Sequence, residues 1–373
     1  MWAGFAAYIG VLVTAPRLGG SAIWAVIVVL VAGFAIGPVL LSHDVYSYVD
    51  YARLGVLHNL DPYVHPPYTE PADPAFAHVT WPEATSAYGP LFTLATYPLA
   101  WLPVGVAVAT LKAVAALSVL GLAAIVGRLA AWRGSDPARA AAFVALNPLV
   151  LVHVVGGAHN DGLMMLVAMC GVAAALSVRW ATAGASLVAA VALKASAAFV
   201  APFALLAAAS PPPDIRSHFL PDSERKYDRK RAIRLLAGAG VASLAIGLAA
   251  YLAFGWDWLE AFGLAGENQG RTSYMSIPVT FARLTGLDVD PVRIAALLFY
   301  ATALAGLLTW VWRGADWVRA AAWAALGLLL ATSWLLPWYL VWPLPLVAIA
   351  RDKPLQLLTL ALTAYQLGAR IPL

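Results

Sequence analysis

Charge is what this sequence has least of. Only 11% of its 373 residues are Asp, Glu, Lys or Arg, against about 25% in a soluble globular domain. A water-facing surface cannot be covered at under half the usual density, so a soluble enzyme, a nucleic-acid-binding module and a disordered tail are excluded. Cysteine is nearly absent: Cys170 stands alone in an apolar run, which rules out an internal disulfide framework or a cysteine-based metal site. No internal repeat of roughly 20–50 residues is visible. No cleavable leader is expected, because residues 1–15 lack a basic start.

What fills the chain instead is apolar: 62% of its residues are hydrophobic and its mean hydropathy is +0.78. A membrane-spanning helix takes about 20 apolar residues, so the expected class is an all-α polytopic membrane protein. Apolar runs fall near 1–15, 22–41, 104–127, 140–155, 162–178, 180–193, 195–209, 233–254, 291–312, 318–335, 338–350 and 355–369. The first is short, so eleven or twelve transmembrane helices are expected in one transmembrane domain over 1–373. The runs 180–193, 195–209 and 338–350 are too short to cross about 30 Å of hydrocarbon unaided. Such spans are tolerated where their ends line an enclosed, water-accessible cavity.

The net charge of +4 is read as topology first. Arg216, Arg225, Lys226, Arg229, Lys230, Arg231 and Arg234 mark the loop 210–232 as cytoplasmic, and alternation outward from it leaves sixteen of the 23 Lys and Arg inside. The stretches 42–103 and 255–290 are then extracytoplasmic loops, the first long, folded and carrying an interfacial helix near 91–102. Six of the seven histidines and twelve of the 19 acids fall outside, a distribution that solubility does not explain and outer-face chemistry does. Fifteen tryptophans among so few charges fit interfacial belts.

Within the first loop, Ser42-His43-Asp44-Val45-Tyr46-Ser47-Tyr48 follows directly on an apolar run. Asp44 is held at the boundary with aromatic rings around it, which suits a general base acting on a hydroxyl. A solvated helix-end aspartate would give the same sequence. Tyr88-Gly89-Pro90 punctuates the loop, and its aromatic residue suits sugar or headgroup contact, with interface anchoring as the plain alternative. Gly156-Gly157-Ala158-His159-Asn160-Asp161 is a second polar concentration, its glycines allowing close backbone approach. His159 and Asp161 are expected to bind a sugar or phosphate or to orient Asp44. A divalent metal is not favoured, since no ligand spacing such as HExxH occurs, and no cofactor is expected.

Lys194 and Arg271 are candidates for holding a lipid phosphate, because a departing phosphate needs positive charge. Their plain readings are snorkelling and an ordinary loop arginine. Lys112 carries the snorkelling reading alone. Trp338 and Tyr339 lie in Trp334-Leu335-Leu336-Pro337-Trp338-Tyr339-Leu340-Val341-Trp342-Pro343, a platform for a polyprenyl chain or an aromatic belt.

The order of these motifs resembles the GT-C superfamily of polyprenyl-phosphate-sugar-dependent glycosyltransferases. His43-Asp44-Val45-Tyr46-Ser47-Tyr48, Asp61-Pro62-Tyr63, Tyr88-Gly89-Pro90-Leu91, Gly157-Ala158-His159-Asn160-Asp161 and Pro337-Trp338-Tyr339 look like the actinobacterial polyprenol-phosphate-mannose-dependent mannosyltransferases of lipoglycan assembly. The chain departs from the longer relatives in its modest length after the basic loop. The resemblance implies Asp44 as the base that deprotonates an acceptor hydroxyl, a polyprenyl-phosphate sugar donor, a glycolipid acceptor, inversion at the anomeric carbon and an α-mannoside product. His43, Tyr48, Tyr88, His159, Asn160, Asp161, Lys194, Arg271, Trp338 and Tyr339 are the expected substrate contacts. The competing reading is a transporter or lipid flippase. It fits less well, because most charges lie at boundaries and not along a path through the bilayer.

Overall fold

The computed structural model describes residues 2–209, 222–267 and 270–368. Every regular element among them is helical. In chain order these are α1 (Trp2–Thr14), α2 (Gly20–Ile36), α3 (Asp44–Leu57), α4 (Pro90–Thr96), α5 (Val104–Trp132), α6 (Pro137–Ala145), α7 (Asp161–Leu176) and α8 (Trp180–Leu193). There follow α9 (Ala201–Ala209), α10 (Asp222–Phe254), α11 (Glu260–Glu267), α12 (Ile277–Thr285), α13 (Val289–Trp312), α14 (Trp317–Ala331), α15 (Leu344–Ile349) and α16 (Lys353–Gly368). The protein is an all-α polytopic membrane protein.

The apolar runs take two forms. Val104–Trp132, Arg229–Phe254 and Val289–Trp312 are long and apolar enough to cross a membrane. Gly20–Ile36, Asp161–Leu176, Trp180–Leu193, Ala195–Ala209, Trp317–Ala331 and Pro337–Ile349 are shorter apolar segments. Several runs that read as continuous are broken. The run 140–155 divides at Asn147-Pro148 into α6 and a π-helical turn, Val150–Val155. The runs 195–209 and 338–350 each open with a 3-10 turn, Ala195–Val200 and Pro337–Val341. Proline supplies no amide donor and restricts the residue before it, which accounts for the breaks at Pro148 and Pro337.

The stretches read as loops hold helices as well. The segment 42–103 contains α3, α4 and the 3-10 turn Tyr97–Trp101, and 255–290 contains α11 and α12. In the basic stretch 210–232, residues 210–221 lie outside the described residues, and the remainder is already helix α10, not loop. Arg370, Asn268 and Gln269 also lie outside the described residues.

Apolar helices gain little from solvent exclusion once in lipid, so close packing over small residues holds them together. A Cβ on Gly184 of α8 would stand 2.0 Å from Leu235 O of α10, and one on Gly238 of α10 would stand 1.9 Å from Ala181 O of α8. Glycine at both points lets the two backbones touch. A Cβ on Gly171 of α7 would stand 3.1 Å from Leu187 Cγ of α8, a tight side-chain approach. By contrast, only 11% and 6% of the apolar windows of α10 and α13 are buried. Helices so apolar and so exposed face lipid.

The two ends of this bundle differ. Past the end of α5, Arg133 pairs with Asp316 and donates from Nε to Ile349 O at 2.8 Å. Arg319 Nε meets Asp352 Oδ2 at 2.6 Å nearby. These ion pairs tie the end of α5 to the start of α14, and α14 to the start of α16. Lys112, near the start of α5, lies toward the other end, where the acids and histidines gather.

Candidate active site

Asp44 opens α3. Its backbone N–H reaches Ser42 Oγ at 3.4 Å, and the positive end of the helix dipole lies under its carboxylate. Burial nevertheless raises its pKa above the ordinary carboxylate value, with the Ser42 hydroxyl and the Lys194 charge pulling the other way. The nearest basic group is His159, whose Nδ1 stands 3.8 Å from Asp44 Oδ2. His159 is 1% exposed, and burial together with the Lys194 charge holds its pKa well below the usual imidazole range. Burial thus favours the neutral form of the His159 imidazole beside Asp44.

Two glycines bring these groups together. A Cβ on Gly156 would come within 2.8 Å of Leu40 Cδ1, and one on Gly157 within 3.3 Å of Leu40 O. The bare backbone lets the segment that leads to Asp44 run against the turn that leads to His159. Leu40 N–H donates to Gly156 O at 3.1 Å and fixes the register. Trp338 then stacks on His159, with ring centres 3.8 Å apart and planes 18° from parallel.

Lys194 stands where α8 ends and the chain turns extended. A Cβ on Gly89 would lie 2.1 Å from Ala192 O, so glycine there lets the Tyr88 turn dock onto the end of α8. Gly89 N–H donates to Leu193 O at 3.2 Å. The Lys194 ammonium is thereby set 6.0 Å from the Tyr88 ring centre and 5.5 Å from that of Tyr339.

Asp161, expected to bind a sugar or phosphate or to orient Asp44, holds two partners within the protein: Oδ2 accepts from Lys194 Nζ at 2.8 Å and Oδ1 from Trp342 Nε1 at 2.7 Å. The side chain is fully buried. Asp161 thus ties Lys194 to Trp342. Trp342 in turn stacks on Tyr339 at 4.2 Å.

The other expected contacts divide. Tyr48 is buried edge-on against Tyr88 at 4.7 Å, on the face of α3 that carries Asp44. Asn160 is 4% exposed, and neither its amide nitrogen nor its oxygen has a hydrogen-bond partner. A buried amide left without a partner is unusual. His43 is exposed at the rim, packed against Tyr46 at 5.7 Å. Arg271 is exposed too, 5.9 Å from the Trp334 ring centre, and is not among the partners of Asp44 or Asp161. Among the described residues no group of three or more His, Cys, Asp or Glu is placed to hold a metal ion.

Sequence reasoning missed the contacts that Trp342, Ser42 and Gly89 make in the site. Trp342 belongs to an aromatic run that a membrane belt would also produce. Gly89 carried a usable signal, since a glycine between an aromatic and a proline marks a turn or a close approach.

The fold and the site define a GT-C-like membrane protein: apolar helices, several of them broken, with a carboxylate and a cation gathered at one end. A sequence model described as the N-terminal domain of α-(1→6)-mannopyranosyltransferase matches residues 1–210, and the chain belongs to that family. It is 29% identical over 342 residues to α-(1→6)-mannopyranosyltransferase A of Mycobacterium tuberculosis, covering 86% of this chain and 64% of that protein. It is 31% identical over 171 residues to α-(1→6)-mannopyranosyltransferase A of Corynebacterium glutamicum, covering 44% and 34%. A probable α-(1→6)-mannopyranosyltransferase of Mycolicibacterium smegmatis is 33% identical over 155 residues, covering 38% and 26%. The chain thus spans less than two thirds of each of these relatives. No solved structure matches it significantly.

Proposed function

We propose that this protein is an inverting mannosyltransferase. It moves mannose from a polyprenyl-phosphate donor to a hydroxyl of a glycolipid or lipoglycan acceptor on the extracytoplasmic face of the cell membrane. The observation that carries this reading is the pairing, at one end of the apolar bundle, of the Asp44–His159 couple with a lysine whose carboxylate partner is buried behind it.

Asp44 takes the proton from the acceptor hydroxyl as its oxygen attacks the anomeric carbon. The bond from that carbon to the phosphate oxygen breaks on the opposite side, and the lipid phosphate leaves with the electron pair. A β-linked donor gives an α-mannoside. Lys194 meets the developing phosphate charge, preorganised by Asp161 and Trp342 so that little reorganisation is needed at the moment of transfer. Asn160 and His159 carry buried polar atoms without a partner in the protein, which a sugar hydroxyl entering the site would satisfy, and Trp338 offers a ring face.

The lipid-linked form of the donor has its own support. An apolar cavity of about 260 Å3 is lined by Pro90, Leu187, Val191, Ala192, Ile246 and Phe262 among others. Pro90 follows the Gly89 contact and Ala192 lies two residues before Lys194. An alkyl chain resting there would bring its phosphate toward the lysine.

The test is mannose transfer by the detergent-purified chain, supplied with polyprenyl-phosphate mannose and a mannosylated lipid acceptor. Asp44→Asn, which keeps size and removes basicity, runs beside it with monodispersity checked in both. Transfer by the wild type alone is expected. Equal transfer by both removes Asp44 as the base, and a folded wild type inactive with this donor and acceptor defeats the proposal.

A further inference from the structure

Lys112 lies inside the apolar helix α5, and the proposed reaction does not use it. A lysine in such a helix ordinarily runs its chain toward the interface and keeps its ammonium in water. Lys112 does otherwise. The residue is 3% exposed, and Nζ donates to Gly37 O at 2.6 Å and to Pro38 O at 2.7 Å. These carbonyls lie just past the last residue of α2, where a helix leaves acceptors unpaired and carries partial negative charge. No carboxylate among the described residues pairs with this ammonium; the helix end is its counter-charge.

The same two carbonyls begin the connector that delivers Asp44. Residues 37–43 carry no regular helix or strand. Leu41 adopts φ 63°, in the left-handed region that a branched side chain disfavours. With no ladder of backbone bonds, the path is set by fixed points. Leu40 N–H on Gly156 O is one, and the Asp44 N–H on Ser42 Oγ is another. Both are neutral bonds. The Lys112 pair is charge-assisted and part-buried, the stronger kind, and it stands at the connector's origin.

We propose that Lys112 is a positioning residue for Asp44. By clamping the end of α2 it sets, through the connector 37–43, where the Asp44 carboxylate stands against His159. The inference rests on the reading of Asp44 as the base. A displacement of the base by about 1 Å costs on the order of a hundredfold in rate, so the clamp bears on turnover and not on substrate affinity.

The test compares the full chain with Lys112→Met, Lys112→Gln and Lys112→Arg. Two readouts are taken: steady-state transfer from polyprenyl-phosphate mannose, and amide hydrogen exchange over residues 37–46. In Lys112→Met, kcat is expected to fall by about tenfold to a hundredfold with KM for donor and acceptor unchanged, and exchange over 37–46 to quicken. Lys112→Gln, which keeps N–H donors without the charge, falls between. Lys112→Arg keeps both charge and donors, and restores most of the rate and the protection. Wild-type kcat in Lys112→Met, or a raised KM with kcat intact, overturns the inference. Failure of both Lys112→Met and Lys112→Gln to fold also overturns it, by making the lysine a general structural requirement. If the wild type itself transfers nothing, the mannosyltransferase reading falls, while unchanged exchange in Lys112→Met still refutes the clamp.

Discussion

Lys194 is asked to do two things, and a double-mutant cycle separates them. Its ammonium neutralises the fully buried Asp161 carboxylate at 2.8 Å, and in the proposed reaction it also meets the leaving phosphate. Lys194→Met leaves Asp161 with only the Trp342 indole. Breaking a buried pair from one side typically costs 3–5 kcal/mol, and with one hydrogen bond retained the expectation here is about 3 kcal/mol. Asp161→Asn alone should cost less, because Lys194 is 16% exposed and can draw on water. The double variant Lys194→Met with Asp161→Asn removes the stranded charge and keeps an acceptor for Trp342. It should regain about 2 kcal/mol of the loss. Transfer is expected to behave differently: losing a preorganised charge at a developing anion costs about 3 kcal/mol, some hundredfold in kcat, and Asp161→Asn cannot restore it. Thermal unfolding in detergent and single-turnover transfer, measured on all four proteins, give the two cycles. Recovery of activity in step with stability would refute a phosphate role for Lys194. An undiminished stability in Lys194→Met would refute the account of the ion pair.

Three further outcomes follow from neighbouring groups. A general base works deprotonated, so transfer should fall as pH drops through the Asp44 pKa, which burial raises above the ordinary carboxylate value. Because the Lys194 charge opposes that rise, the acid limb of kcat/KM should move to higher pH in Lys194→Met; a limb that stays put or moves down contradicts the electrostatics. Gly89→Ala places a methyl carbon 2.1 Å from Ala192 O, where backbone cannot yield cheaply, and should cost about 1–3 kcal/mol of stability. An unchanged melting temperature would show that the Tyr88 turn is not docked as described. Asp50, on α3 outside the apolar spans, has its pKa pushed up to about 7, by burial first and then by the Asp73 charge. The folded state thus holds this proton more tightly than the unfolded chain, so its stabilising contribution is complete below about pH 4 and is lost as pH rises to about 7. Asp50→Asn should flatten that slope in pH-dependent unfolding and raise stability at neutral pH; an unaltered slope assigns the pH dependence to other groups.

What the sequence made legible was whatever depends on composition and on local order. An 11% charge content and long apolar runs were enough for an all-α polytopic membrane protein, and the helix-boundary position of Asp44 follows from an apolar run ending in a polar, aromatic segment. The breaks inside the runs were less legible. Hydropathy averages across Asn147-Pro148 and Pro337, so segments that read as spans are turns joined to short helices. The roles within the site were not legible, because they are set by contacts across long sequence separations. Asp161 and Lys194 are 33 residues apart and Asp161 and Trp342 are 181 apart. In the sequence, His159 and Asp161 are equivalent candidates within one polar turn; the structure separates them, one facing Asp44 and the other locked behind Lys194. Lys112 shows the limit most clearly. Its flanking residues are those of any apolar helix, and its partners are main-chain carbonyls 74 and 75 residues away. Backbone acceptors leave no trace in residue identity, so a snorkelling lysine and one that clamps the base's connector have the same local sequence. A buried cation of this kind is recognised by what its ammonium donates to, and in this chain that is the origin of the path to Asp44.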